Sequence, residues 1–246
     1  MNLGKSDKKR LYGIDELRGI AMVLMLVYHL LWALYLNGYF VYPDGVIWYK
    51  LIGLICAHMF IIISGTSANF ARRPWLNAIK IFVCGMIVWA VVYFTKLAEP
   101  IDFGILHFLG VSYFLYWALR GVLAKIKPVI GAVVSLFLFI VLHEVPMGNI
   151  FGARLPDVLY STKWLFWLGF PHWGYTASDY YPLIPWIFLF FFGCFLWRMI
   201  RKVPDALYKN HLRPLAFIGR HTLIIYLVHQ PIYFGAIWLV SRIIGG

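Results

Sequence analysis

Apolar runs of about 20 residues, the length that crosses a bilayer, recur along the chain between short polar stretches. They lie at Gly19–Leu36, Ile47–Ala68, Ile79–Thr95, Phe103–Leu119, Pro128–Leu142, Pro182–Ile200 and Thr222–Val240. The pattern predicts seven transmembrane helices, the fifth being the weakest. Trp164–Phe170 is apolar but too short to span. It suits a re-entrant or interfacial segment, or the start of an eighth helix. The expected fold is an all-α integral membrane protein, a polytopic bundle of about seven or eight helices.

Within this pattern a few ionisable residues stand out because charge at bilayer depth is costly and is kept for function. Arg18 and His29 share the first apolar segment and are separated by ten residues. On an α-helix that is almost three full turns, so both side chains share one face about 16 Å apart along the axis. His58, His107 and His229 also fall within or at the edges of spans, and His221 stands at a span entrance. One intramembrane histidine reads as a helix–helix hydrogen bond. Several in one small bundle predict a polar central cavity near the midplane.

Composition agrees with the pattern. The chain of 246 residues is 62% hydrophobic and only 13% charged, which no water-soluble domain of this size matches. The net charge of +12 comes from topology, not nucleic-acid binding. With a cytoplasmic N-terminus, only Lys50, Lys96, Arg154, Lys163 and Arg242 of the 22 Lys and Arg fall on the outer side. That asymmetry follows the positive-inside rule and places the chain in a cell membrane as a multi-pass protein. The first span lacks a cleavage site and begins with Asp15, Glu16 and Arg18, so it reads as a retained anchor. Cys56, Cys84 and Cys194 fall inside spans without paired spacing, so they read as buried thiols and no metal site is expected.

One domain covers residues 1–246, with a basic cytoplasmic tail at 1–10 and an aromatic-rich outer loop at 144–181. The aromatics of that loop fit a belt at the lipid–water boundary or a stacking platform for a sugar or lipid head group. Pro231 lies inside the last span, where it should kink the helix and free a carbonyl near His229 and Gln230.

His29 is the sharpest chemical candidate. An imidazole held neutral in an apolar cavity is a usable general base near neutral pH, and it can also act as a nucleophile. Arg18 suits a phosphate on the cytoplasmic side, or a snorkelling anchor paired with Asp15 three residues earlier. Arg72 and Arg73 follow the small-residue stretch Ser64-Gly65-Thr66-Ser67-Ala68. They fit an electropositive mouth for a phosphorylated cofactor, or plain charge bias.

Ile14-Asp15-x-Leu17-Arg18-Gly19-Ile20-Ala21 leading to His29 resembles the opening of the heparan-α-glucosaminide N-acetyltransferase-like transmembrane acyltransferases, including their small bacterial members. Phe103-Gly104-Ile105-Leu106-His107-Phe108-Leu109-Gly110, Tyr181-Pro182-Leu183-Ile184-Pro185-Trp186 and the run from Gly219 through His221, His229 and Gln230 to Pro231 resemble the same family. The Arg-x10-His spacing and Phe60 to Gly65 are also similar to the larger membrane acyltransferase-three family. The resemblance implies a membrane enzyme that takes an acetyl or other short acyl group from cytoplasmic acyl-CoA. It passes that group to an extracytoplasmic glycan or sugar acceptor, at an amine or hydroxyl. His29 would then be catalytic, with Arg18, Arg72 and Arg73 on the cofactor. Asp15, Ser64, His107, His221, His229 and Gln230 would line the site. Acetyl-CoA is the implied co-substrate, no metal is implied, and the pairing of close relatives allows a homodimer. Animal members carry Asn at the position matching His29 and a histidine further on, where this chain has Phe40; direct transfer with His29 as base is therefore expected.

Two other readings use the same features. A transporter or flippase also has kinked helices and midplane polar groups, but inverted repeats do not appear in the sequence. A non-catalytic sensor or scaffold explains the histidines through pH sensing, but not the Arg–His pair on one face.

Overall fold

The computed structural model describes residues 10–40, 47–95, 101–177 and 179–244. The basic tail at 1–10, apart from Arg10, lies outside the described residues, as does Lys96. Eight α-helices occur among the described residues: α1 (Tyr12–Leu36), α2 (Ile47–Ala68), α3 (Pro74–Thr95), α4 (Ile105–Lys125), α5 (Pro128–Val141), α6 (Leu183–Met199), α7 (Arg213–Arg220) and α8 (Thr222–Ile244). Six helical stretches are long and apolar enough to cross a membrane, and α6, at 17 residues, is a shorter apolar helix. This is the build of a multi-pass helical membrane protein. Each of the seven apolar runs is helical. Trp164–Phe170 does not begin a helix of its own but holds a single 3-10 turn at Phe166–Leu168. The eighth helix is instead α7, a short amphipathic element without an apolar run. The α8 helix continues through Pro231.

The chain divides into two compact units, one comprising Met1–Phe60 with Arg201–Gly246 and the other Ile61–Ile200. In the first unit α7 lies against the start of α1. Small residues make the close approach: a Cβ on Gly19 would collide with the Leu215 carbonyl, and one on Gly219 with the Asp15 carbonyl. The ends of a helix leave backbone groups without partners, and α1 supplies them for α7. The Glu16 carboxylate accepts from the backbone N–H of His211 at 2.6 Å and of Leu212 at 2.9 Å, at the head of α7. At the other end the Arg18 guanidinium donates to the Gly219 carbonyl at 3.2 Å. Asp15 is buried beside them and neutralised by Arg10 at 2.8 Å and Arg18 at 3.1 Å. Deeper in this unit Met22, Met25 and Cys56 form a core with Phe60, Ile225 and Tyr226 packed on it. The Tyr233 hydroxyl ties α8 to α1 through the Leu26 carbonyl at 3.1 Å.

In the second unit the end of α2 crosses α6 through reciprocal glycines. A Cβ on Gly65 would strike the Phe190 carbonyl, and one on Gly193 the Ile62 carbonyl. Thr66 Oγ1 donates to the Gly193 carbonyl at 3.1 Å, and Asn69 Nδ2 to the Cys194 carbonyl at 3.2 Å. Arg198 closes the C-terminus of α4 by donating to the carbonyls of Leu123, Ala124 and Ile126 at 2.7, 3.0 and 3.2 Å. A cation there also favours the helix dipole.

The 144–181 segment folds on itself. A two-residue ladder joins β1 (Asn149–Ile150) to β2 (Ala153–Arg154). Tyr160 is buried and donates to the Val145 carbonyl, while Tyr180 donates to the Phe166 carbonyl at 2.6 Å. Aromatics of the segment therefore divide between interior anchors such as Tyr160 and exposed rings such as Trp164 and Phe151.

Glu16→Ala leaves two backbone donors at the head of α7 without their acceptor. It should cost about 1–3 kcal/mol, read as a lower thermal midpoint in detergent, with Glu16→Gln intermediate; an unchanged midpoint would show that α7 does not depend on the carboxylate. Gly193→Leu should lower the midpoint further, because backbone rather than a flexible side chain blocks the added atoms. Burial pushes the Tyr175 and Tyr180 phenols above their ordinary value. Their contribution is present below about pH 10, the ordinary tyrosine value, and is lost as pH rises from there. Near-ultraviolet circular dichroism of the aromatic segment during alkaline titration checks this.

Candidate functional site

The α1 helix carries Arg18 at its buried start and His29 three turns later on the same face, about 16 Å along the axis. The helix continues unbroken between them. His29 Nδ1 lies 3.0 Å from the Met25 carbonyl one turn back, with Met25 Sδ at 2.9 Å. A carbonyl only accepts, so the proton is assigned to Nδ1 and Nε2 carries the lone pair. The ring is half-buried, edge-on to Tyr28 at 5.3 Å between centroids. Tyr28 in turn stacks on Tyr49 at 5.0 Å and fills the space beside Gly53.

Across from α1, α8 brings His229 to His29, with ring centroids 5.0 Å apart and planes at 64°. His229 is 4% exposed, and its Nδ1 is 2.6 Å from the Tyr226 carbonyl. Gln230 is the next, half-buried residue of α8. Asp15 and Arg18 are brought together as an ion pair at 3.1 Å, with Gly219 as their shared neighbour on α7. His221 stands between α7 and α8, where its Nδ1 meets the Phe217 carbonyl at 2.9 Å, one turn earlier. It joins the two helices rather than the histidine pair.

Three of the anticipated positions and the fourth, His107, belong to the other unit. Ser64 presents its carbonyl to the Tyr113 hydroxyl at 3.1 Å. Arg72 and Arg73 are exposed immediately before α3. His107 is buried in the first turn of α4 between Phe103 and Phe82, with ring centroids at 5.9 and 5.4 Å. No group of three or more residues able to hold a metal occurs among the described residues.

Sequence reasoning missed Glu16, Met25, Tyr226 and Tyr233. Glu16 carries a signal, since it is an acid beside Asp15 at the mouth of an apolar run. Met25 and Tyr226 act through backbone carbonyls, which any residue type supplies. Tyr233 lies one turn beyond His229, a spacing that marks a shared helical face.

No curated protein and no solved structure matches the chain. A family model does match: that of the heparan-alpha-glucosaminide N-acetyltransferase catalytic domain, over residues 10–231. The matched span runs from Arg10, the partner of Asp15, to Pro231 just past His229 and Gln230. It thus takes in Arg10, Asp15, Glu16, Arg18 and Gly219 of the α1–α7 contact and both members of the histidine pair, and the chain belongs to the heparan-alpha-glucosaminide N-acetyltransferase family.

Proposed function

We propose that this protein is a membrane-embedded acyltransferase that moves an acetyl, or another short acyl, group from cytoplasmic acyl-CoA to a sugar amine or hydroxyl on the extracytoplasmic side. His29 acts as the general base. The observation that carries this reading is the state of the His29 ring: the Met25 carbonyl holds Nδ1–H, leaving Nε2 as a lone pair on the helix face that also bears Arg18. Membership of an acetyltransferase family supplies the reaction class.

In this mechanism the acceptor nitrogen or oxygen attacks the thioester carbonyl as Nε2 of His29 takes its proton. The carbon–sulfur bond breaks and the proton passes to the departing CoA sulfur. Arg18 meets the cofactor phosphates, since a guanidinium matches phosphate geometry. The protein sits in the cell membrane with a cytoplasmic N-terminus, and pairing into a homodimer is compatible with the mechanism.

Purified in detergent, the wild type should bind CoA and release thiol from acetyl-CoA, faster with glucosamine added as a probe acceptor. His29→Gln should keep CoA binding and lower kcat by about 10²–10⁴-fold, the ordinary worth of a general base. Arg18→Lys keeps a cation for Asp15 but loses the planar fork, so it should weaken CoA binding while preserving the thermal midpoint better than Arg18→Ala. A wild type that neither binds CoA nor releases thiol would overturn the reading.

A further inference from the structure

His229 has an atom that the mechanism above leaves unexplained. Its side chain is 4% exposed, and Nε2 is buried without a hydrogen-bond partner. The Tyr226 carbonyl at 2.6 Å assigns the ring proton to Nδ1, so Nε2 is a bare acceptor. A buried, unsatisfied polar atom is costly, and each one in a native fold calls for an explanation. Phenylalanine would fill the same volume without that cost.

The neighbouring ring supplies the explanation. His29 lies with its centroid 5.0 Å from that of His229, and it too holds its proton on Nδ1 against a carbonyl. Two imidazoles in contact therefore share one tautomer, and each presents Nε2 as an acceptor. Neither can donate to the other through that nitrogen. The pair lacks one proton, and the entry of one proton at either Nε2 turns that ring into a donor for the other.

No described group donates a hydrogen bond to His229 Nε2. Tyr28 on α1 is edge-on to His29, and its hydroxyl accepts from that of Tyr49 on α2 at 3.4 Å. On α8, Tyr226 and Tyr233 flank His229 with centroids at 5.3 and 5.8 Å, and the Tyr233 hydroxyl is committed to the Leu26 carbonyl. From α2, Cys56 packs with Met25 and directs its thiol to the Gly53 carbonyl at 3.1 Å.

We infer that His229 is a positioning residue for proton transfer at His29: its buried Nε2 accepts the Nε2–H of the His29 imidazolium formed when the acceptor is deprotonated. This rests on the acyl-transfer reading. The acceptor's N–H or O–H bond breaks and that electron pair forms the new bond to the acyl carbon. The proton moves to His29 Nε2, where His229 holds it. The carbon–sulfur bond then breaks with its pair on sulfur, and the same proton completes the CoA thiol. His229 gains and loses nothing overall. Its site is empty of a proton at rest and filled only during turnover, so its stabilising hydrogen bond is made to the charged intermediate and not to the resting ring.

The full chain in detergent, with acetyl-CoA and glucosamine as probes, tests this by thiol release. His229→Phe keeps volume and removes the acceptor. It should lower kcat about 10–100-fold, the worth of one charge-assisted hydrogen bond, with the KM for acetyl-CoA unchanged. His229→Gln restores an acceptor oxygen and should recover most of the rate. Independently of turnover, nitrogen-15 spectra of the wild type labelled at its eight histidines should contain two signal sets, lost singly in the His29→Gln and His229→Gln variants, each with proton on Nδ1 and bare Nε2. Equal losses in the Phe and Gln variants, a change confined to KM, or a protonated Nε2 on resting His229 would each overturn the inference and leave acyl transfer standing. Absence of thiol release from the wild type would overturn acyl transfer, and this role with it.

Discussion

Two adjacent acids, Asp15 and Glu16, are buried at the head of a largely apolar helix, and the first unit is organised by what they hold. Glu16 spends its charge on two backbone donors at the start of α7, and Asp15 balances Arg10 and Arg18. Arg18 then returns a donor to the Gly219 carbonyl at the far end of α7. An eight-residue helix is far below the length that is stable alone in water. It persists here because both of its ends are satisfied by side chains of α1, and because Gly19 and Gly219 let the two backbones touch. Removing Glu16 leaves two backbone donors without their acceptor, and removing Arg18 leaves buried Asp15 with the half-exposed Arg10 alone.

That clasp also fixes where α8 begins. Only His221 separates α7 from α8, and its carbonyl accepts the first helical bond of α8 from the Ile225 N–H at 3.0 Å. Once α7 is seated, the path of α8 is set, and two turns later His229 arrives against His29. The Tyr233 bond to Leu26 secures the far side of that contact. The position of His229 thus traces back to carboxylates at the opposite end of α1. The same helix that offers His29 also determines which residue of α8 will face it.

Arg18 occupies an exacting place in this arrangement. Its guanidinium serves Asp15 and Gly219 through one terminal nitrogen, and its side chain is 23% exposed. The two readings of Arg18 drawn from the sequence, phosphate ligand and partner of Asp15, are therefore not exclusive. The ion pair orients the planar fork, and a fork held in one orientation loses less freedom when an anion arrives. A lysine offers no such preorganisation, because its ammonium is a point charge on a flexible stem.

Much of the helical layout was legible because membrane helices announce themselves by length and apolarity, and each of the seven runs became a helix. The α7 helix was not, since eight amphipathic residues among basic ones carry no run to count. Trp164–Phe170, too short to span, begins no helix: Phe166 and Phe170 pack on Tyr175 and Tyr160 in a self-folded segment while Trp164 stays exposed, and a single 3-10 turn suffices. The histidines and charges stood out as breaks in an apolar pattern, so Arg18, His29 and His229 could be marked from sequence. What gives those histidines their chemical state is of another kind. The carbonyls of Met25 and Tyr226 fix which nitrogen bears the proton, and every residue has a carbonyl, so no letter of the sequence records them. Sequence can locate the histidines within an apolar bundle, but the direction in which each ring can accept a proton is written in the backbone.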